Sequence, residues 1–290
     1  MNLGVALRLG RISNLPTVWT NVLVGAVLSG AAVGDSRVPL LMVAMSLFYV
    51  GGMFLNDAFD RGFDARHRPE RPIPSGQVSA AEVFGFGFGM LALGLLAVAW
   101  SSLDADGRPA WRAVACGVAL AAAIVFYDAH HKANALSPLV MGLCRVFVVL
   151  TAAYGVAAML SPAVMWAAAA VMCHLIGLTY IAKQEHLDRI GALGPLGFLA
   201  VPLAYGTVLA LAAPAAWAPL LLYAALLVFA LGRLRRRARG DVPQAVVTLI
   251  GGMSVLDSVL LAGAGQVLPA LLAVGAFALT LAMQRWVSGT

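Results

Sequence analysis

The chain predicts an all-α integral membrane protein, a bundle of nine or ten transmembrane helices, and three observations carry that prediction. Hydrophobic residues make up 61% of the 290 positions and charged residues only 11%, where a water-exposed surface needs roughly a quarter charged. Mean hydropathy is +0.90, and the apolar residues fall in runs of about 20, the length at which a helix crosses a bilayer. The basic residues collect in alternate short loops between those runs. The net charge of +6 is therefore a topology signal, and no nucleic-acid partner is expected. Soluble folds are excluded. So are secreted disulfide scaffolds, because Cys116, Cys144 and Cys173 lie inside apolar stretches without metal-ligand spacing, as small core residues do.

Taken in order, the spans fall near 17–34, 38–55, 80–100, 110–127, 136–158, 163–182, 195–213, 216–232, 244–263 and 266–285. The first follows a segment carrying Arg8, Arg11, Asn14 and Pro16. No small-residue cleavage site comes after it, so it is a span and not a signal peptide. The second runs out into an acidic segment at 56–64. The third opens on Ser79 with Glu82 three residues on, the spacing of a capping box. Several later spans are joined by very short turns. Two in the last third read equally as a re-entrant or split pair, which separates nine spans from ten. There are no Gly/Ser linkers or low-complexity tails, so one domain is expected over 1–290.

With the N-terminus inside, 15 of the 19 Lys and Arg residues fall in inner loops, and only Arg37, Arg108 and Arg112 in outer ones. The positive-inside rule then puts both termini, and the long polar loops 56–79, 128–135, 183–194 and 233–243, in the cytoplasm. The expected location is a multi-pass protein of the inner or plasma membrane with its chemistry at the cytoplasmic face. The run Arg233 to Arg239 is a topology anchor that attracts anionic membrane lipid.

Asn56-Asp57-Ala58-Phe59-Asp60-Arg61-Gly62-Phe63-Asp64 sits where the second span leaves the membrane. The acids are spaced i, i+3, i+7, which on a helix confines them to about 60° of arc. Three carboxylates on one face repel each other, and partial burial makes the repulsion worse. A hard cation such as Mg²⁺ relieves it, with Asn56 adding a neutral oxygen at the rim. The alternative is a solvated helix end, which a chain with only 13 acids disfavours. The following stretch, Ala65 to Gly76, is basic and stiffened by Pro69, Pro72 and Pro74, so it is not helical throughout. Its arginines suit an anionic phosphate substrate or serve equally as positive-inside markers.

Asn-Asp-x-x-Asp-x-x-x-Asp followed by Arg-Pro-Ile-Pro-Ser-Gly closely resembles the first signature of the UbiA superfamily of intramembrane prenyltransferases. The resemblance extends over nearly the whole chain, beginning with Arg11 to Gly25 as the opening segment. It implies two four-helix halves around a central cavity. It also implies transfer of a prenyl group from an allylic prenyl diphosphate to a hydrophobic, usually aromatic, acceptor. Asn56, Asp57, Asp60 and Asp64 would hold Mg²⁺ and, through it, the diphosphate. With Asn14-Leu15-Pro16-Thr17, the chain is similar to the EboC-like branch.

The family's second motif, Asp-x-x-x-Asp, is altered here. The sixth span ends in Tyr180-Ile181-Ala182-Lys183-Gln184-Glu185-His186-Leu187-Asp188. Glu185 and Asp188 are one helical turn apart, enough to hold a second Mg²⁺, and Lys183 would meet the diphosphate as a point charge. The alternative is a helix end with no ligand role. A prenyl diphosphate of roughly −3 beside five carboxylates approaches balance only with two Mg²⁺ ions and the cations Lys132, Lys183, Arg68, Arg71 and Arg145. Binding is therefore expected to collapse under chelation.

Tyr127-Asp128-Ala129-His130-His131-Lys132 resembles the family's third polar element, with Lys132 as a phosphate ligand. Tyr127 and Tyr180 offer their rings to a carbocation or act as interfacial anchors. His130 and His131, being adjacent, do not face one site, and His174 reads as a satisfied packing residue. Arg145 and Asp257 are the deepest ionisable groups, and such groups are functional candidates by default. Arg145 would reach the diphosphate from inside the bundle, and Asp257 pairs with it or with nearby backbone. Asn21 lines the same cavity or makes an interhelical hydrogen bond. Two rivals stand beside the transferase: a non-catalytic isoprenoid-lipid carrier, suggested by the altered second motif, and an ion-coupled transporter using Arg145 and Asp257.

Overall fold

A computed structural model describes residues 1–287 apart from 33, 105, 133, 184–193 and 237. In chain order the helices are α1 Leu3–Leu9, α2 Leu15–Leu28, α3 Arg37–His67, α4 Ala80–Ser101, α5 Trp111–His130 and α6 Ser137–Val156. They continue with α7 Pro162–Lys183, α8 Ala200–Ala212, α9 Trp217–Arg236, α10 Asp241–Gly263 and α11 Val267–Met283. Among the described residues the only extended pairing is a single bridge between Leu103 and Pro109. Helices α3 to α7, α9 and α10 are long and apolar enough to cross a membrane, while α2, α8 and α11 are shorter apolar helices. Every predicted span thus has its helix, and the protein is a multi-pass integral membrane protein.

Two features depart from the sequence reading. The short helix α1 precedes the first span. Its Val5 and Leu9 pack with Phe54, Ala58, Val78 and Val83 across the exit of α3, and Arg8 donates to Gln77 at 2.7 Å. Second, the stretch from 56 to 67 is not loop. Helix α3 runs unbroken for 31 residues, because nothing between Leu55 and Arg68 breaks a helix. It ends where Pro69 pushes Arg68 out of helical geometry, to φ −144° and ψ 59°. The acidic segment is therefore a rigid helical extension of a span. The capping box that starts α4 forms as expected, with Ser79 and Glu82 side chains each accepting from the other's backbone N–H.

Helices α2 and α10 form the centre. Helix α2 packs against α3, α6, α10 and α11, and 11 of its 14 residues are buried. Gly25 makes this possible: a Cβ there would lie 2.2 Å from the Val149 carbonyl oxygen of α6, so the two backbones touch. On the outside of the bundle, large apolar side chains such as Phe86, Leu93, Leu96, Leu211, Val228 and Leu271 are exposed, as lipid contact requires. Trp100, Trp111, Trp166 and Trp217, all exposed, ring the end opposite the acidic segment, an interfacial aromatic belt. At that end Arg37 donates to both Asp35 carboxylate oxygens and to the Val156 carbonyl. These hydrogen bonds hold the Asp35 carboxyl below its ordinary range.

Candidate active site at the acidic end of the bundle

Helical continuation of α3 turns Asn56, Asp57, Asp60 and Asp64 to one inward face, and all four are buried. Each carboxylate meets cations from other segments. Asp57 Oδ1 accepts from Arg11 Nη2 and from Arg71 Nη1, both at 3.1 Å. The same Arg71 nitrogen donates to Asp64 Oδ2 at 3.1 Å. Lys132 Nζ lies 2.9 Å from Asp60 Oδ2, with His131 Nε2 at 3.6 Å. Lys132 also sits 3.5 Å above the Phe63 ring. The mutual repulsion of the acids is thus relieved by basic side chains from the α1–α2 junction, the loop after α3 and the loop after α5.

Local structure explains how these side chains arrive. In the loop, Ser75 N donates to the Arg71 carbonyl and Gln77 N to that of Pro72. Gly76 supplies the left-handed φ of +74° that the turn needs, and the compact turn directs Arg71 back over α3. Arg11 is itself left-handed, at φ 41°, alone among the described non-glycine residues. Its surroundings over-determine that geometry: the guanidinium bonds Asp57 and reaches Asn56 Oδ1 at 3.5 Å, and its carbonyl accepts from Tyr49 Oη at 3.2 Å. Burial disfavours the charged guanidinium, but the surrounding Asp57, Tyr49, Asp128 and Tyr127, Asp57 foremost, together more than offset this and hold the group above its ordinary range.

Among the described residues, no three His, Cys, Asp or Glu side chains converge into a ready metal cage. The donor set nevertheless fits a hard divalent cation. Two buried carboxyl oxygens here, Asp64 Oδ1 and Asp128 Oδ2, have no hydrogen-bond partner among the described residues. Unpaired carboxyl oxygens are what Mg²⁺ accepts once they are ionised. Asp128, on α5, takes a 3.0 Å hydrogen bond from the Asn56 amide and so ties α5 to α3. Glu185 and Asp188 lie outside the described residues.

The remaining expected residues separate by role. Arg68, the half-buried residue that follows α3, has no side-chain partner among the described residues. Lys183 directs its ammonium at His131 O, Asn134 O and Ser137 Oγ, at 3.3, 2.8 and 2.7 Å. It is a strut fastening α7 to the loop that carries Lys132. Tyr127 stacks on His131 with centroids 4.9 Å apart, and Tyr180 is half-buried in the last turn of α7. His130 instead stacks on Phe126, so the adjacent histidines diverge as expected.

Beneath the acids lies a cavity of about 80 Å³ between α2, α3, α5 and α6. Met45, Phe48, Tyr49, Leu120, Ile124 and Val148 give it an apolar wall, and Asp128 and Arg145 are its charged lining. Arg145 contacts none of the acids of α3. It donates to Thr17 Oγ1 and Asn21 Oδ1, both at 3.1 Å. Asn21 Nδ2 in turn donates to Asp257 Oδ2 at 2.7 Å. Asn21 thus makes interhelical hydrogen bonds and does not itself line this cavity, and Asp257 meets Arg145 only through it. His174 is fully satisfied, between the Tyr223 hydroxyl at 2.8 Å and the Leu249 carbonyl at 2.9 Å.

Arg11, Asp128 and His131 are site residues that sequence reasoning passed over. Asp128 carried a usable signal, an acid at the inner end of a span in a chain with only 13 acids. Arg11 carried none, since its partner is 46 residues away.

A family model described as the UbiA prenyltransferase family matches residues 18–246. Among curated relatives, digeranylgeranylglyceryl phosphate synthase of Methanopyrus kandleri is 38% identical over 89 residues, 31% of this chain and 32% of the relative. The protein of the same name from Methanothrix thermoacetophila is 40% identical over 74 residues, 25% of this chain and 28% of the relative. The chain therefore spans about a third of the length of the curated relatives it matches. A solved structure reported as insights into the biosynthesis of digeranylgeranylglyceryl phosphate synthase in membranes superposes with a TM-score of 0.61 at 19% identity. It covers 95% of this chain and 99% of its own. A UbiA homologue from Aeropyrum pernix K1 gives 0.51 at 22% identity, covering 94% and 95%. Both share the fold.

Proposed function

Because this chain belongs to the UbiA prenyltransferase family, we propose that it transfers a prenyl group from an allylic prenyl diphosphate to a hydrophobic acceptor within the membrane. The observation that carries the reading is a buried acidic face, with two unpaired carboxylate oxygens, at the mouth of an apolar cavity. Asp57, Asp60 and Asp64, with Glu185 and Asp188 as further ligands, would hold Mg²⁺, which when bound would supply Lewis-acid stabilisation of the leaving diphosphate. Asn56 orients Asp128 beside that shell.

The chain's own side chains do the rest. Arg68, at the end of α3, and Arg71 and Lys132, already turned inward, bind the diphosphate oxygens. As the allylic C–O bond breaks, their fixed positive charges offset charge growing on the departing oxygen, with no reorganisation at that moment. The cavity wall keeps water from the allylic cation, and the Tyr49 and Phe48 rings present faces that favour a cation. The prenyl tail leaves laterally between helices toward lipid, each buried methylene contributing about 0.8 kcal/mol. Two acceptor classes have support. The aromatic lining favours an aromatic ring, and the name of the curated relatives points to a glyceryl phosphate. Positive-inside bias supports a cytoplasmic orientation of the site, and a core shared by helices α2 to α11 supports residues 1–290 working as one domain.

The test is binding of a non-hydrolysable prenyl thiodiphosphate to detergent-purified protein, first with Mg²⁺ and then with EDTA. Binding with Mg²⁺ that EDTA abolishes is the expected outcome. An absence of binding under both conditions overturns the assignment, and Mg²⁺-dependent binding with no product when the hydrolysable prenyl diphosphate is supplied with either acceptor class favours the lipid carrier.

A further inference from the structure

We infer that the groove between α9 and α10, on the outside of the bundle, is a built site for one anionic phospholipid. Its phosphate sits on the arginines of the α9–α10 turn and an acyl chain lies in the groove below. The inference is independent of the transferase reading. Helix α10 is buried over most of its length, and Gln244 is the one exposed residue in it. There its outer side opens into a groove of about 320 Å³ lined by Phe229, Pro243, Gln244, Val247 and Thr248. Both helices are long and apolar enough to cross a membrane, and Val228 and Phe229 beside the groove are exposed. The groove therefore faces lipid.

Two helix faces converge on it. Phe229, Arg233 and Arg236 stand at i, i+4 and i+7 on α9, and Asp241, Gln244 and Thr248 at i, i+3 and i+7 on α10. Asp241 fastens the arginines at the head of the groove. Its Oδ1 accepts from Arg233 Nη1 at 3.0 Å, and its Oδ2 from Arg236 Nε at 2.9 Å and Ala238 N at 2.8 Å. The Arg233 guanidinium also lies 4.9 Å from the centre of the Phe229 ring, so it joins the carboxylate to the groove wall. Both guanidiniums are held in place before a ligand arrives, with further N–H donors to offer. Gln244, about one turn below Asp241, makes no side-chain hydrogen bond among the described residues. Thr248 instead donates to the Gln244 carbonyl at 2.8 Å. Arg235 and Arg239 are exposed on the same turn, so four arginines there face the single Asp241 carboxylate. That surplus selects an anionic headgroup over a zwitterionic one, and guanidinium geometry suits a phosphate ester. The apolar wall asks for a hydrocarbon chain on that ester, which a free phosphate does not bring. A protein partner needs about 800 Å² of contact, well beyond a groove walled by five side chains.

The test uses full-length protein in uncharged detergent, with bound lipid counted by native mass spectrometry. Dioleoyl phosphatidylglycerol is titrated against dioleoyl phosphatidylcholine, which has the same chains and phosphate but no net charge. One phosphatidylglycerol should be retained about tenfold or more tightly than phosphatidylcholine. Glycerol 3-phosphate, the same headgroup chemistry without chains, should not displace it at equal concentration. Val247→Trp fills the groove and leaves every arginine in place, so the retained lipid should be lost. Arg233→Gln should reduce the preference between the two lipids. Diffuse attraction to a basic turn would weaken in Arg233→Gln but not in Val247→Trp, which is what separates a built site from a topology anchor. Should Val247→Trp fail to fold, judged by melting without lipid, Gln244→Trp occludes the same groove from an exposed position and should give the same loss. Equal retention of the two lipids, displacement by glycerol 3-phosphate, or unchanged retention in the groove-filling variant overturns the inference.

Discussion

Asp57 concentrates the electrostatics of the acidic face on one oxygen, which accepts from Arg11 and Arg71 together. Asp57→Asn removes the charge that both guanidiniums share and leaves two partly buried cations facing each other. Truncating one member of a buried charged pair costs about 2–5 kcal/mol. Titration of the variant with the Mg²⁺ thiodiphosphate should therefore show a loss of about thirtyfold or more, and unchanged affinity would remove Asp57 from the donor site. The spacing of Asp57, Asp60 and Asp64 on one face was legible because helix periodicity is local. Their partners were not, since pairing with Arg11 depends on a left-handed backbone that L-residues rarely adopt. His174 shows the converse. A lone histidine in an apolar span reads as a satisfied core residue, and Tyr223 with Leu249 satisfies both ring nitrogens.

At the scale of elements, the contact of α2 with α6 matters more than any cap. Gly25→Ala would place a methyl group 2.2 Å from a backbone oxygen that cannot rotate away. Overpacking of this kind costs about 1–3 kcal/mol or more. Because the Arg145 bonds to Thr17 and Asn21 cross the same interface, the variant should lose both thermal stability and cavity geometry. Ser79→Ala provides the contrast, since it removes a capping box at the exposed start of α4, with a cost of about 1 kcal/mol. Melting curves in detergent should show Gly25→Ala with the larger drop, and the reverse order would mean that α2 and α6 can separate freely. The extension of α3 past the membrane follows the same logic: a helix continues until something stops it, and Pro69 is the first stop.

For the molecule as a whole, orientation is the testable property. The loop that carries Asp106 and the loop that carries Glu70 lie at opposite ends of the bundle, on either side of α4. A membrane-impermeant thiol reagent should label Asp106→Cys in intact cells and Glu70→Cys only after permeabilisation. The opposite pattern would reverse the cytoplasmic assignment of the site. The three native cysteines lie within α5, α6 and α7, away from both loops. The exposed tryptophans at the far end mark the second interface and agree with a bundle that stands across the bilayer.

Membrane residence, the order of spans and the acidic face were readable along the chain, because hydropathy, charge bias and helical periodicity all act over fewer than 20 or so neighbouring residues. The family signature belongs with them, being a contiguous run from Asn56 to Gly76. What the chain order left open was every relation between segments distant in sequence. Tertiary packing brings Arg11 to Asp57, Asn56 to Asp128, and Lys183 to the loop beyond α5. It also interposes Asn21 between Arg145 and Asp257. The physical reason is that a side chain finds its partner through the close approach of helix backbones, and glycines such as Gly25 set that approach only once both helices are in place.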